Sequence, residues 1–147
     1  MATLGQEGDN ILATSSFWVS DAWPASSGAP SFVNAVCQIQ PFDYNPVELL
    51  KRMHAIEAKF GRQRDQTLRW PARSLDLDLL DYNGKISKND SFLRLPHDRL
   101  SERDFVLLPL SEVSPNWVHP ENGQSVRDLL RSLSSSGATN NCRLLEN

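Results

Sequence analysis

Between residues 75 and 79 the chain alternates strictly, Leu75-Asp76-Leu77-Asp78-Leu79, and this period of two constrains the fold more than any other feature. It is the repeat of an extended strand, whose successive side chains point to opposite faces, so one face is leucine and the other acidic. The leucine face needs an apolar layer behind it, which helices elsewhere in the chain must supply. The expected strand covers residues 73–80, with Ser74, Asp76 and Asp78 on its polar side. Side chains two residues apart on a strand stand about 6.5–7 Å apart. That gap lets two carboxylates flank a pair of hard cations about 3.5–4 Å apart, the separation used in two-metal phosphoryl chemistry. Taken alone, such a pair is more often the solvated face of a sheet, neutralised by nearby arginines. In this chain, however, Arg62, Arg64, Arg69 and Trp70 precede the strand, and His97, Arg103 and Phe105 follow it. An acidic strand beside a cationic loop suits a metal-bound polyphosphate, because guanidinium forks match phosphate oxygens.

The covering helices are legible. Asn45-Pro46-Val47-Glu48 is a helix start: Asn45 can cap, Pro46 suits the first turn, and Glu48 holds the capping-box position. Leu49, Leu50, Met53, Ile56 and Phe60 then recur at helical spacing, and Gly61 stands where a left-handed residue ends a helix. His54 and Glu57 flank that stripe, His54 reading as an ordinary surface histidine. Residues 125–133 form a second amphipathic helix, capped by Ser125, with Val126, Leu129, Leu130 and Leu133 inward. Residues 10–19 and 32–40 read as strands, separated by a loop rich in Ser, Pro and Gly. In the second strand Val33, Ala35, Cys37 and Ile39 make the apolar face, while Phe32, Asn34 and Gln38 point the other way. Asn83-Gly84 marks a tight turn with a short hairpin partner near Lys85-Ile86. Residues 103–110 are apolar and read equally as helix or strand, and residues 134–147 are expected to fray.

A chain of 147 residues, 39% hydrophobic and 22% charged, suits one domain with a single core. A net charge of −3 argues against a nucleic-acid-binding surface. No apolar run reaches membrane-spanning length, and residues 1–20 lack a signal-peptide pattern, so a cytoplasmic enzyme or binding protein is expected, and the basic residues concentrated between Arg62 and Arg73 suit a small polyanion as partner. Cys37 and Cys142 have no CxxC spacing; they argue against a disulfide framework or zinc site and fit a reducing cytoplasm. The order of elements implies an α+β sandwich.

Five motifs then occur in sequence: Phe32-Val33-Asn34-Ala35-Val36; Glu57 through Gly61-Arg62-x-Arg64; Arg73-Ser74-Leu75-Asp76-Leu77-Asp78-Leu79-Leu80; Leu95-Pro96-His97-x-Arg99-Leu100; and Arg103-x-Phe105-Val106-Leu107-x-Pro109-Leu110. In order and spacing they resemble the 6-hydroxymethyl-7,8-dihydropterin pyrophosphokinase family, over about residues 15–133. The resemblance implies a ferredoxin-like α+β sandwich and transfer of diphosphate from ATP to the pterin hydroxymethyl oxygen, with release of AMP, in folate biosynthesis. It implies Asp76 and Asp78 as ligands of two Mg²⁺ ions, and Arg62 and Arg73 as catalytic partners that engage the phosphates. Glu57, Arg64, Leu79, His97 and Arg103 match nucleotide-side positions. Phe32 and Phe105 match the residues that sandwich the pterin, Asn34 the one that reads its polar edge, and Trp70 lies in the loop that closes over the site.

The family opens with a strand and a Gly-Ser-Asn turn leading into its first helix, whereas Met1 to Gly5 resembles the end of that helix. The expectation is a family domain over residues 1–133, incomplete at its N-terminus through a misplaced start codon, then a polar tail over 134–147. Ser20-Asp21-Ala22-Trp23-Pro24 lacks the family's threonine-proline pattern, and Asp65 stands where a basic residue is often found. The rival reading is a catalytically inactive nucleotide- or pterin-binding fragment of the same family. A cytoplasmic monomer is expected, with no nucleic-acid or membrane partner.

Overall fold

The computed structural model describes residues 8–21, 31–60, 75–90, 92–137 and 141–146. Both predicted strands form, but each breaks once. β1 (Asn10–Thr14) pairs antiparallel with β4 (Cys37–Gln40), and β2 (Trp18–Ser20) with β3 (Phe32–Asn34). These are two arms of one bulged ribbon. The register slips between Ile11 and Ala13, and at the second break residues 15–17 oppose residues 35–36. Ser15 holds that break: its N–H donates to the Val36 carbonyl at 2.9 Å, and its Oγ accepts from the Val36 N–H at 3.0 Å. An extra residue swaps the faces of a strand. Consequently Val36 reaches the core, whereas Val33, expected on the apolar face, is 58% exposed.

The predicted first helix is α1 (Pro46–Lys59). Asn45 Oδ1 accepts from the N–H groups of Val47 and Glu48 at 3.0 and 3.4 Å. The reciprocal bond departs from expectation. The Asn45 N–H donates to Asp43 Oδ1 at 3.2 Å, while Glu48 takes Lys51 instead, at 2.8 Å. Leu49, Leu50, Met53 and Ile56 are buried as their spacing predicts. Phe60 is 51% exposed because the helix ends before it, and Glu57 fills the last buried place. Gly61 lies outside the described residues.

α1 packs on Ile11 and Ile39 of the ribbon and on Leu75, Leu77 and Leu79. A second core joins α2 (Asp104–Val113) to α3 (Val126–Ser136), with Leu100, Val36 and Leu80. The ambiguous stretch at 103–110 is therefore helical, burying Val106, Leu107 and Leu110 along one face. Ser125 caps α3 by accepting from the Asp128 N–H, and Gly137 ends it at φ +70°. The helix runs three residues beyond its predicted end. The tail does not fray where it is described. β5 (Arg143–Leu144) pairs with β2, giving the order β3-β2-β5 and occupying ladder groups that an edge strand would otherwise leave to water.

Residues 75–80 keep the expected alternation, leucines partly buried and both aspartates exposed, yet they carry no strand ladder. Their backbone finds other partners. The Leu77 N–H donates to Glu57 Oε1 at 2.9 Å, and the Leu80 carbonyl accepts from the His97 N–H at 2.8 Å. The Asn83-Gly84 turn forms, with φ of +49° and +69° and a Lys85 N–H to Tyr82 carbonyl bond of 2.9 Å. Beyond it, Ser87 pairs with Leu95, so the predicted hairpin partner at 85–86 does not form. The whole is an α+β fold, as expected, and among the described residues no helix is long and apolar enough to cross a membrane.

Candidate active site

Asp76, Asp78, His97 and Arg103 meet along one open groove of about 380 Å³. Alternation presents the two aspartates, the turn after Leu95-Pro96 delivers His97, and Arg103 stands at the N-cap of α2. Asp78 Oδ2 lies 3.9 Å from His97 Nε2 and 3.8 Å from Arg103 Nη1. Both distances exceed a hydrogen bond, so Asp78 and Arg103 offset each other's charge while all three groups keep donors and acceptors for a ligand. The Asp78 side chain is 46% exposed, which leaves it open to solvent ions. The Arg99 N–H donates to His97 Nδ1 at 3.2 Å. That bond assigns the proton of the neutral imidazole to Nε2, on the Asp78 side. The Arg103 guanidinium carbon lies 5.6 Å from the centre of the Phe105 ring, a contact that steadies the fork.

Leu50, Leu79, Leu93 and Phe92 also line the groove. Leu79 thus stands among the residues it was expected to join. His54 also lines the groove, its ring edge-on to Phe92 at 5.7 Å. Sequence reasoning missed Phe92 and Arg94. A signal existed for the second, because Leu93-Arg94-Leu95 alternates: both leucines are buried, which turns Arg94 outward into the groove. Arg94 is already paired with Asp98 at 2.9 Å. Glu57, expected at the nucleotide, is brought beneath the groove rather than into its lining. It is 1% exposed.

The pterin-side candidates come from two elements. Phe32 and Asn34 belong to β3, and Phe105 to α2, which contacts β2, β3 and β4. Asn34 Nδ2 donates to Ser20 Oγ at 2.9 Å and to the Trp18 carbonyl at 3.4 Å, so its amide is held across the ribbon. Phe32 is exposed, whereas Phe105 rests against the α2–α3 core. Glu112, near the end of α2, accepts from the Ser16 N–H and from Trp18 Nε1–H, each at 2.7 Å. The first of these bonds, with help from the second, holds the Glu112 carboxyl below the usual carboxylate range. Arg62, Arg64, Trp70 and Arg73 lie outside the described residues.

Among the described residues no three His, Cys, Asp or Glu side chains cluster as a metal cage. Asp76 and Asp78 fit Mg²⁺ all the same. They are hard oxygen donors on an exposed face, and Mg²⁺ is ordinarily held by one or two carboxylates while water and phosphate oxygens complete its shell.

Residues 1–115 match the family described as 7,8-dihydro-6-hydroxymethylpterin-pyrophosphokinase (HPPK). The chain is 46% identical over 90 residues to the Folic acid synthesis protein FOL1 of Dictyostelium discoideum, a match covering 61% of this chain and 13% of that protein. It is 38% identical over 104 residues to a 2-amino-4-hydroxy-6-hydroxymethyldihydropteridine pyrophosphokinase of Synechocystis sp., covering 71% of this chain and 51% of that protein. A protein of the same name from Methylorubrum extorquens is 36% identical over 130 residues, covering 88% and 78%. The chain thus spans about half the length of the Synechocystis relative and a small part of FOL1.

Proposed function

The chain belongs to the 7,8-dihydro-6-hydroxymethylpterin-pyrophosphokinase family, and from that premise we propose that it transfers diphosphate from ATP to 6-hydroxymethyl-7,8-dihydropterin. The observation that carries this reading is the Asp78 carboxylate standing 3.9 Å from His97 Nε2 and 3.8 Å from Arg103 Nη1 in one groove with Asp76. In the reaction a bond forms from the pterin oxygen to the β-phosphorus of ATP as the bond to the α-phosphate oxygen breaks, the hydroxyl proton passes to solvent, and AMP leaves. Asp76 and Asp78 would hold Mg²⁺, two ions with ATP, which supply charge neutralisation for the diphosphate. His97 Nε2–H and the Arg103 fork donate to phosphate oxygens, and Arg62, Arg64 and Arg73 add guanidinium forks from the preceding loop. Leu79, with Leu50 and Leu93, offers the nucleobase an apolar wall. Phe32 and Phe105 flank the pterin, the Asn34 amide reads its edge, and Trp70 helps to exclude water. Positioning and charge neutralisation suffice for attack by a primary alcohol, so no general base is assigned. Free thiols at Cys37 and Cys142 support a reducing compartment, the cytoplasm, and we assign the chain a monomeric form acting on small molecules.

The test is chromatographic assay of AMP with purified protein, ATP, hydroxymethyl-dihydropterin and Mg²⁺. AMP is expected only when all three additions are present. A protein that bound both ligands yet released no AMP would be the silent fragment instead.

A further inference from the structure

Among the described residues, individual hydrogen bonds hold the backbone of residues 75–80 at Leu77 and Leu80. The one nearest both acids is made by Glu57, whose Oε1 accepts from the Leu77 N–H at 2.9 Å. Asp76 and Asp78 flank the residue so held. Glu57 is 1% exposed and occupies a place on α1 where the stripe of Leu49, Met53 and Ile56 calls for an apolar side chain. Those three residues pack beneath Leu75, Leu77 and Leu79, so among the described residues the segment is supported by apolar contact, tied at Leu80 by the His97 N–H, and held between the two acids by the hydrogen bond from Leu77 to Glu57. Apolar packing alone is non-directional and permits sliding along the segment; a hydrogen bond to a single peptide N–H does not.

We propose that Glu57 is a positioning residue for diphosphate transfer, fixing the peptide between Asp76 and Leu77 so that both aspartates stand at the spacing a metal-bound polyphosphate requires. Glu57 itself touches no substrate and acts through Asp76 and Asp78. The inference rests on the function proposed above.

Two variants separate the hydrogen bond from packing: Glu57→Leu, similar in size with no acceptor, and Glu57→Gln, which keeps an accepting oxygen. In Glu57→Leu, amide exchange at Leu77, followed by NMR without metal, should accelerate by about tenfold or more as its bond is lost. The Mn²⁺ dissociation constant measured with ATP should rise roughly 10- to 100-fold, and kcat should fall by a similar factor, the usual effect of losing a group that orients a metal ligand. Glu57→Gln should keep Leu77 protected and recover most of the Mn²⁺ affinity. A folded Glu57→Leu protein with unchanged Mn²⁺ affinity overturns the proposal, because a merely structural glutamate lowers Tm and leaves that affinity alone. So does a Glu57→Gln protein that keeps Leu77 protection yet loses as much affinity as Glu57→Leu. Should Glu57→Leu not fold, Glu57→Asp, whose shorter arm withdraws the acceptor, takes its place: Leu77 protection and Mn²⁺ affinity lost together support the role, and protection lost at unchanged affinity refutes it. Failure of the unsubstituted chain to release AMP counts against the proposed function, and the exchange and Mn²⁺ measurements still decide for Glu57.

Discussion

Replacing Arg52 by methionine removes the centre of a charge network that ties the entry of β1 to the entry of α1. Arg52 Nε and Nη2 donate to the Asp9 carboxylate at 3.0 and 2.8 Å, and Nη1 and Nη2 donate to Asp43 at 2.7 and 3.3 Å. The Phe42 ring lies 4.6 Å from the guanidinium carbon. The Asp9 side chain is fully enclosed, at 0% exposure, and that of Arg52 is 15% exposed. Methionine can fill the space of the aliphatic stem, so the loss falls mainly on the enclosed Asp9 carboxylate, to which, among the described residues, the Phe42 N–H at 3.3 Å still donates. Removing one partner of a buried pair costs about 3–5 kcal/mol; the slight exposure of Arg52 places this case near 3 kcal/mol. In a domain of this size that corresponds to a fall in Tm of about 6–12 °C. Adding Asp9→Asn to Arg52→Met removes the stranded charge yet keeps an oxygen for the Phe42 N–H. The double variant should recover about half of the loss, about 1.5 kcal/mol relative to Arg52→Met. Urea unfolding followed by tryptophan fluorescence, with the two single variants completing the cycle, measures both quantities. A loss below about 1 kcal/mol in Arg52→Met, or no recovery in the double variant, would refute the reasoning.

Three further outcomes are expected. Asp78→Ala should lower AMP release by roughly 100-fold or more while moving Tm by no more than about 2 °C, since that side chain is 46% exposed; equal turnover would remove the metal assignment. Leu107→Ala, at 0% exposure between α2 and α3, should cost about 3 kcal/mol in urea unfolding, the cost of an enclosed cavity. Glu112 has its folded pKa depressed by the Ser16 and Trp18 donors, so its stabilisation is complete above the unfolded value of about 4.3 and is lost as pH falls through the lower folded value. Glu112→Gln should therefore flatten the dependence of stability on pH between about 5 and 3, and an unchanged slope would show that Glu112 does not carry it.

The sequence by itself determined what contiguous residues decide. α1 and α3 were legible from caps and a helical apolar repeat, because each helix sums short-range preferences over a dozen neighbours. The outward turn of Asp76 and Asp78 was legible for a similar reason: alternation is a property of any extended backbone, with or without a ladder. Tertiary structure decided the remainder. Only the pairing of β2 with β3 shows that a bulge puts Val36 inward and Val33 outward. Only packing against α1 reveals Glu57 under Leu77, in a place where periodicity asks for an apolar residue. Only the route of the chain beyond Leu95-Pro96 brings His97 within 3.9 Å of Asp78, and only the exposed edge of β2 recruits residues 143–144 as β5. Each of these depends on which distant backbone or charged group is left needing a partner once the core has formed, and a local pattern holds no record of that.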